Sequence, residues 1–483
     1  MNKRLIVRLL GRFLMLEAVL MLPSFIVSLI YGQKDSMAFV YTMLITACCG
    51  ALMNFLMKPE REDLNPKDGL AVAGLSWIVL SFFGSLPFWL SGEIPSLTDA
   101  YFETASGFTT TGASILTNIE GMSKGLLFWR SFTHWIGGMG VLVLTVALLP
   151  RLSGRTAQLT KAESPGPVFS KLLPRTSDTA KMLYFLYFLL SLTLFIALLI
   201  AGMNVYDALI HTFSTAGTGG FSSYNSSIAS FGSPAIEWII GVFMMLFGIN
   251  FTIYFHLVRK EAKIAFKNEE LWVYLGIVAA ATIAISWSIW PNFSNAHDTI
   301  RAAFFQTTAI VSTTGFMTAD FDLWPVIAKT ILILLMIMGG CAGSTGGGFK
   351  VSRVIMLAKD AVRDIRVAIR PRKVAVVRMD GKPVPENVII NLGGFLFLYA
   401  IMQLGGALLL SLDPNLGLVE AFTTSLTCIS NVGPGLGAVG PTQNYSILSP
   451  FSKWLCSFLM LAGRLEFIPV LSLFSISLWR KKG

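Results

Sequence analysis

The sequence predicts an all-α polytopic membrane protein with ten transmembrane helices, and three observations lead to this fold class. The chain of 483 residues is 54% hydrophobic and only 13% charged, whereas a soluble domain has about 25% charged residues. Uncharged apolar runs of about 20 residues, long enough to cross a bilayer, recur along the chain. A fourfold repeat of small hydroxyl residues and glycine lies between these runs.

Ten apolar runs are predicted to span the membrane. The first holds Arg8, Arg12 and Glu17, and it is predicted to be an uncleaved helix because no clear small-residue cleavage site follows it. The last is interrupted by Arg464 and Glu466. The runs are 5–31, 37–57, 69–92, 131–150, 183–206, 238–258, 271–296, 330–349, 387–412 and 454–479.

Positive charge gathers in every second loop between the runs, although the net charge of +10 is modest. The positive-inside rule therefore predicts that both termini are cytoplasmic, which fits an even number of spans. No basic face with stacking aromatic residues stands out, so nucleic acid is excluded as a partner. The clusters are Lys58, Arg61 and Lys67; Arg151, Arg155, Lys161, Lys171 and Arg175; Arg259, Lys260, Lys263 and Lys267; Arg353 through Lys382; and Arg480 to Lys482.

Four loops on the other side are long, partly apolar and similar to one another. They lie near 92–125, 203–234, 292–325 and 413–450, and each contains an apolar stretch followed by a glycine turn. Ordinary hairpin loops are the alternative, but median connections are only about 4–6 residues long. The turns are Thr109-Thr110-Thr111-Gly112-Ala113, Gly217-Thr218-Gly219-Gly220-Phe221, Ser312-Thr313-Thr314-Gly315-Phe316 and Ser430-Asn431-Val432-Gly433-Pro434.

Aligning the four turns on one glycine each brings further columns into register without gaps. Alanine stands twelve residues before the glycine at 100, 208, 303 and 421. A hydroxyl residue stands eight before it at Thr104, Thr212, Thr307 and Ser425. Thirteen before it stand Asp99, Asp207 and Glu420, with Ala302 as the exception.

These columns predict four membrane–pore–membrane units around a pseudo-fourfold axis, each with a re-entrant pore segment between two spans. We divide the chain accordingly into an N-terminal helix pair at 1–67, repeat 1 at 68–150, and a linker with repeat 2 at 151–260. Repeat 3 with an intramembrane loop occupies 261–350, and a basic linker with repeat 4 occupies 351–483.

The repeat suits a cation. Each pore segment can form a half-helix whose C-terminal end carries about half a negative charge and points towards the axis. A glycine in the following turn can adopt positive φ and so direct backbone carbonyls inward, as in K⁺ filters. The candidate rings are Thr110, Thr218, Thr313 and Asn431; then Thr111, Gly219, Thr314 and Val432; then Gly112, Gly220, Gly315 and Gly433.

This pattern resembles the Trk/Ktr/HKT superfamily of K⁺ transporters, and within it the TrkH type, whose additional N-terminal helix pair matches residues 5–57. The resemblance maps the family's filter glycines onto Gly112, Gly220, Gly315 and Gly433. It implies K⁺ as the transported ion with no organic cofactor in this chain. It also implies a homodimer in the bacterial cytoplasmic (inner) membrane, with a cytosolic nucleotide-binding regulatory ring as partner. The fourth turn, with Asn431, Val432 and Pro434, departs most from the threonine-rich pattern.

Two further features lie within predicted spans. Arg464 is expected to face a cavity or a partner because an intramembrane charge is unfavourable. Glu466 is a poor partner for it, since residues i and i+2 do not share a helix face. A buried structural pair with another acid and a barrier in the pore remain alternatives, and the resemblance implies the barrier.

The second feature is a glycine-rich segment, 339–350, that cannot form a regular helix. A nucleotide P-loop is excluded because Phe349 precedes the lysine and Val351 follows it. Glycine packing between helices is one reading, and a gate loop, which the resemblance supports, is the other. The predicted gate residues are Gly343, Ser344, Thr345, Gly346, Gly347, Gly348, Lys350 and Arg464.

The sequence therefore predicts channel-like K⁺ uptake with a cytosolic regulator that docks on the basic linkers 151–182 and 350–386. The alternative is a K⁺ symporter coupled to Na⁺ or H⁺, for which Glu466 is the main candidate carboxylate. No nucleophile–base pair, H-E-x-x-H or phosphate loop is found, so the chain is not expected to be an enzyme.

Overall fold

The computed structural model describes residues 2–57, 65–140, 176–371 and 375–479. The regular secondary structure of these parts is helical apart from one small antiparallel hairpin. Its strands are Arg378–Met379 and Lys382–Pro383, and Arg378 pairs with Pro383. The hairpin lies in the basic linker and is a minor addition to the predicted all-α fold. Part of the predicted basic clusters, namely Lys58, Arg61, Arg151, Arg155, Lys161, Lys171, Arg175 and 480–482, lies outside the described residues.

The N-terminal pair consists of Lys3–Leu20, continued by Leu22–Ile30, and Ser36–Leu56. The two spans cross closely at Gly11 and Gly50. A Cβ on Gly11 would lie 2.6 Å from the Gly50 carbonyl oxygen, and one on Gly50 would lie 2.7 Å from that of Gly11. Small residues at such crossings let two backbones touch in a membrane.

Each of the four repeats contains a long first helix, a short pore helix and a second helix. The first helices are Pro66–Leu90, Thr176–Ile200, Glu269–Ile289 and Glu386–Leu410. The pore helices are Leu97–Phe108, Val205–Ala216, Ala296–Val311 and Leu418–Ser430. The second helices are Lys124–Gly138, Pro234–Phe247, Val326–Met338 and Pro450–Arg464.

The predicted second spans of repeats 2, 3 and 4 are broken rather than continuous. In repeat 2 the helix bends by 91° before Phe251–Val258, and in repeat 4 it ends at Arg464 before Ile468–Ser472. In repeat 3 it ends at Met338, and the chain becomes helical again only at Val351–Ile369. The breaks are possible because other elements supply hydrogen bonds to the freed backbone groups, as described below.

Six described helices are long and apolar enough to cross a membrane, or seven if the bent pair of repeat 2 is one span. The second half of the predicted span 131–150 lies outside the described residues, so the count of ten stays a prediction. Short helices Ala262–Ala265 and Ile476–Trp479 complete the α-helices of the described residues. The 3₁₀ turns are Ser227–Phe231, Trp290–Asn292, Phe321–Leu323, Gly437–Val439 and Tyr445–Ile447.

The helix starts follow local sequence signals. Asn65 and Asp68 form a reciprocal cap around Pro66 at the first helix of repeat 1. The second helices of repeats 2 and 4 begin at Pro234 and Pro450, where a missing N–H does no harm. The C-terminal parts of the pore helices are largely buried among these elements, which places their C-terminal turns in the interior of the molecule.

Candidate ion pathway

All four pore helices end in the same backbone motif. The residue two before the predicted glycine has positive φ in every repeat: Thr110 at 55°, Thr218 at 55°, Thr313 at 62° and Asn431 at 55°. The next residue then donates its N–H to the carbonyl six positions before the glycine. These bonds are Thr111 to Ser106 at 2.9 Å, Gly219 to Ser214 at 2.8 Å, Thr314 to Ala309 at 2.8 Å and Val432 to Thr427 at 3.0 Å.

This geometry is a Schellman helix end, in which the left-handed residue is usually glycine or asparagine. Only Asn431 of the fourth turn follows that preference. A threonine in this conformation costs about 1–3 kcal/mol and needs support from its surroundings. Hydroxyl pairs supply part of it, with Thr109 Oγ1 2.8 Å from Thr111 Oγ1 and Ser312 Oγ 2.7 Å from Thr314 Oγ1.

The four glycines close the turns into a ring. Their φ values are also positive, at 81° for Gly112, 78° for Gly220, 75° for Gly315 and 99° for Gly433. A Cβ on each would meet the backbone carbonyl oxygen that precedes the glycine of the next repeat. The contacts run in cyclic order from Gly112 to Gly219, from Gly220 to Thr314, from Gly315 to Val432, and from Gly433 to Thr111 at 2.8 Å.

Two features require glycine at each of these four positions: the positive φ of the backbone and the lack of space for a Cβ. The ring brings together all twelve residues predicted for the three carbonyl levels. The side chains of the first two levels are buried. A further link joins the fourth turn to the first, because Asn431 Nδ2 donates to Thr111 Oγ1 at 2.9 Å.

Each pore helix carries an acid in its first turn, remote from the ring. Asp99, Asp207 and Glu420 occupy this position, as the register predicted. In repeat 3 the helix begins about one turn earlier, and Asp298 takes the place that Ala302 leaves. The negative charge at each helix start therefore complements the macrodipole in all four repeats.

The glycine-rich segment lies directly against the third and fourth turns. A Cβ on Gly346 would be 2.8 Å from the carbonyl oxygen of Ser312, and one on Gly347 would overlap that of Ser430. The N–H of Gly347 donates to Thr313 Oγ1 at 2.7 Å. The segment thus covers the ring on the side where the pore helices end.

The same segment is fastened to the break in the second helix of repeat 2. Cys341 donates its N–H to Gly248 O at 2.9 Å, and Phe251 donates its N–H to Gly343 O at 3.0 Å. Thr345 Oγ1 donates to Phe247 O at 3.2 Å. Each break therefore satisfies backbone groups that the other leaves free.

Arg464 lies beneath the ring and joins the loop to repeat 1. One guanidinium nitrogen donates to Thr345 O at 2.8 Å, and another donates to Gly137 O at 2.6 Å and to Gly138 O at 2.8 Å. Glu466 pairs instead with Arg353, at 2.5 Å. Arg464 and Glu466 therefore have separate partners: Arg464 contacts carbonyl groups, and Glu466 forms an ion pair with Arg353.

Lys350 and Glu270 hold the two ends of the loop. The Lys350 ammonium group donates to Gly346 O within the loop. Glu270 Oε1 accepts the N–H of Ala342 at 2.7 Å and that of Ser352 at 2.9 Å. Sequence reasoning missed Glu270, and its only signal was a carboxylate at the start of an apolar span.

Carbonyl and hydroxyl oxygens are the groups that this centre offers to an ion. Among the described residues, no group of three or more His, Cys, Asp or Glu side chains is placed to hold a metal ion. Rings of carbonyl oxygens suit a weakly held alkali cation that must also leave again.

The fold and the ring define a class: a multi-pass membrane protein whose four repeats enclose one central ring of glycine turns. The chain belongs to the TrkH family, because that family's model, described as a cation transport protein, matches residues 35–272 and 292–482. The proteins of this family to which it is similar are named as potassium uptake proteins and not as enzymes.

Among these relatives are the Trk system potassium uptake proteins TrkH of Halomonas elongata and of Escherichia coli strain K12. They are 37% and 35% identical to this chain over 491 and 487 residues, and each comparison covers 100% of both chains. The crystal structure of the potassium transporter TrkH from Vibrio parahaemolyticus superimposes with a TM-score of 0.89 at 33% identity. That match covers 99% of this chain and 100% of the other.

Proposed function

We propose that this protein takes up K⁺ across the bacterial cytoplasmic membrane through a channel-like pore whose selectivity filter is the ring of four turns. The observation that carries the proposal is the cyclic contact of each glycine with the carbonyl that precedes the glycine of the next repeat. Such a ring presents one carbonyl from each repeat at the same level, and carbonyl rings replace the hydration shell of K⁺. The names of the relatives support K⁺ as the ion.

In this proposal the three levels of the filter are the twelve residues predicted from the sequence. The glycine level is Gly112, Gly220, Gly315 and Gly433. The middle level is Thr111, Gly219, Thr314 and Val432, and the innermost level is Thr110, Thr218, Thr313 and Asn431. The macrodipoles of the four pore helices favour a cation at the inner end.

The gate of the proposed pore is the loop with Gly343, Ser344, Thr345, Gly346, Gly347, Gly348 and Lys350, together with Arg464. Its contacts with the third and fourth turns support this role, since an ion leaving the ring meets the loop. Arg464 adds a positive charge at the same place. Opening requires that the loop release the ring, where Gly347 donates to Thr313. It also requires that Arg464 release Thr345 O of the loop or Gly137 O and Gly138 O of repeat 1.

We also propose that the chain acts as a homodimer with a cytosolic nucleotide-binding ring. Its relatives are named as members of a Trk system, which supports further components. The helix Val351–Ile369 follows the loop directly and carries basic residues. A regulator that binds this helix and moves it would therefore move the adjoining end of the loop. The positive-inside rule supports cytoplasmic termini, and the repeats support the five-part division of the chain.

Coupled symport with H⁺ is the second candidate, and one observation favours it. Glu17 is buried in the first span, and neither of its carboxylate oxygens has a hydrogen-bond partner among the described residues. An intramembrane carboxylate is a functional-site hypothesis by default. Glu466, the carboxylate expected for this role, is occupied by Arg353. A reversal potential that follows the pH gradient in the parent protein but not in Glu17→Gln would favour coupling.

Tracer uptake into vesicles that contain the purified protein tests the proposed filter. We expect Rb⁺ uptake to exceed Na⁺ uptake in the parent, and we expect Gly220→Ala to abolish or invert this preference. Gly232→Ala is the matched control, because Gly232 also has positive φ, at 54°, but has no atom within 4 Å of the added Cβ. Equal loss of preference in both variants would show that the ring contact is irrelevant.

A further inference from the structure

The position nine residues before each filter glycine is polar in all four repeats. It holds Glu103, His211, Gln306 and Thr424, and each side chain is buried behind its turn. A buried polar side chain is unfavourable unless it is hydrogen-bonded. The partners of these four residues therefore indicate what the position does.

In repeat 1 the position is occupied by an ion pair that holds the chain just after the filter. Glu103 Oε1 accepts from Arg130 Nε at 2.6 Å and from Ser114 Oγ at 2.9 Å, and its Oε2 accepts the Ile115 N–H at 2.9 Å. Glu103 and Arg130 are 1% and 2% exposed. Ser114 is the second residue after Gly112, so this carboxylate bridges the pore helix to the outgoing strand of the turn.

Arg130 carries the same network into repeat 2. It donates to Ser222 O at 3.2 Å, and its guanidinium lies 3.4 Å from the centre of the Phe221 ring. His211 reaches Ser222 from the other side, with Nε2 2.9 Å from Ser222 Oγ, and its Nδ1 donates to Asp207 O at 2.7 Å. Ser222 is again the second residue after the filter glycine.

Repeats 3 and 4 lack this bracing at the same position. The amide oxygen and nitrogen of Gln306 have no hydrogen-bond partner among the described residues, and the same holds for the hydroxyl of Thr424. The residues two after their glycines are Met317 and Gly435, which offer no side-chain hydrogen bond of this kind.

The turns of repeats 3 and 4 are supported in other ways: Tyr445 Oη donates to Gly433 O at 2.7 Å, and the Met317 N–H donates to Ser227 Oγ at 3.3 Å. Among the described residues, the buried ion pair behind the first and second turns has no counterpart at the equivalent position of repeats 3 and 4, whose turns the loop contacts.

We propose that Glu103, Arg130 and His211 are positioning residues that hold the first and second turns in place and thereby set the preference for K⁺ over Na⁺. The inference rests on the proposed filter. A carbonyl ring discriminates by size where its members cannot close around the smaller ion. The buried ion pair keeps the first and second turns at a fixed radius, whereas the loop contacts the third and fourth turns.

The test is the ratio of Rb⁺ to Na⁺ uptake in vesicles, which does not depend on the amount of active protein. We expect Glu103→Gln to lower the ratio about tenfold, since loss of a charged partner disturbs both braced turns. We expect Ser114→Ala, which removes one bond and keeps the ion pair, to lower it less. Gln306→Met is the matched control at the equivalent position of repeat 3, and it should leave the ratio unchanged.

An unchanged ratio in Ser114→Ala and Glu103→Gln overturns the inference, as does an equal fall in Gln306→Met. If Glu103→Gln does not yield monodisperse protein, the ratio in Ser114→Ala decides alone. Gly220→Ala separates this inference from the filter itself. A ratio that falls in Gly220→Ala but not in the bracing variants refutes only the bracing, and a ratio that falls in none of them refutes the filter.

Discussion

At the scale of single residues, the centre of this protein depends on backbone groups rather than on reactive side chains. The four glycines are placed where a Cβ would collide with a neighbouring repeat. Three threonines adopt a left-handed backbone conformation that is rare for β-branched residues in proteins. The buried surroundings and the hydroxyl pairs within the first and third turns support these strained conformations.

Arg464 provides the residue-scale prediction. Arg464→Ala removes a positive charge beneath the ring and three hydrogen bonds to carbonyl groups, so we expect folded protein with raised Rb⁺ flux. Arg464→Lys keeps the charge but replaces the two separate guanidinium nitrogens that reach Thr345 O, Gly137 O and Gly138 O with a single ammonium nitrogen. Intermediate flux in the lysine variant would indicate that both charge and bridging matter. Unchanged flux in Arg464→Ala would exclude the barrier role.

At the scale of elements, the loop and the broken second helices form one structure. The loop supplies an acceptor at Gly343 to the break of repeat 2, and that break supplies an acceptor at Gly248 to the loop. Glu270 then caps two further N–H groups on either side of the loop. Movement of the loop therefore has to be accompanied by rearrangement of the bent helix.

Gly347 gives the element-scale prediction. A Cβ there would overlap the Ser430 carbonyl of the fourth turn, so Gly347→Ala should prevent the loop from seating and raise the flux in the absence of a regulator. Gly340→Ala is the control in the same loop, because its added Cβ would lie 3.0 Å from Ser344 Oγ and 3.2 Å from Gly248 O and would not touch the ring. If Gly347→Ala is no leakier than Gly340→Ala in vesicle uptake, the loop is not a gate.

The elements also mark the limit of what sequence could predict. The apolar runs, the acids of the pore helices and the four-turn register are local signals. The described residues contain the acids, the register and six or seven apolar helices of membrane-spanning length. The breaks after Phe247 and Arg464 were not predicted. The run 238–258 has no Asp, Glu, Lys or Arg at its break, and in the run 454–479 Arg464 and Glu466 were interpreted as charges within a continuous span. The causes of the breaks are hydrogen bonds from residues far along the chain, such as Gly343 and Thr345, which no local pattern reveals.

At the scale of the whole molecule, four similar repeats build a centre that is not symmetric. The loop belongs to repeat 3 alone, and Arg464 to repeat 4. The register of the turns could be predicted from one glycine in each repeat because the Ala and Thr columns are buried for the same reason in all four. The loop, Arg464 and the unlike fourth turn were predicted as differences between repeats. The roles of Glu270 and of the Glu103–Arg130 pair could not be predicted, since their partners lie in other elements.

The N-terminal pair allows a prediction at this scale. Gly11→Val forces the crossing with Gly50 apart, and overpacking of this kind costs about 1–3 kcal/mol. We expect a lower melting temperature with an unchanged ratio of Rb⁺ to Na⁺ uptake, because the pair lies outside the repeats. Gly276→Val is the control, since a Cβ at Gly276 meets no atom within 4 Å. A changed ion ratio in Gly11→Val would place this pair in the pathway.

The central claim is that one carbonyl from each repeat meets a permeating cation at the centre of the ring. Anomalous diffraction from crystals of the protein grown in Rb⁺ measures this directly. The account predicts a peak on the axis between the carbonyl oxygens of Thr111, Gly219, Thr314 and Val432, and its loss in Gly220→Ala. Rb⁺ bound only elsewhere, in protein that still transports it, would contradict the account.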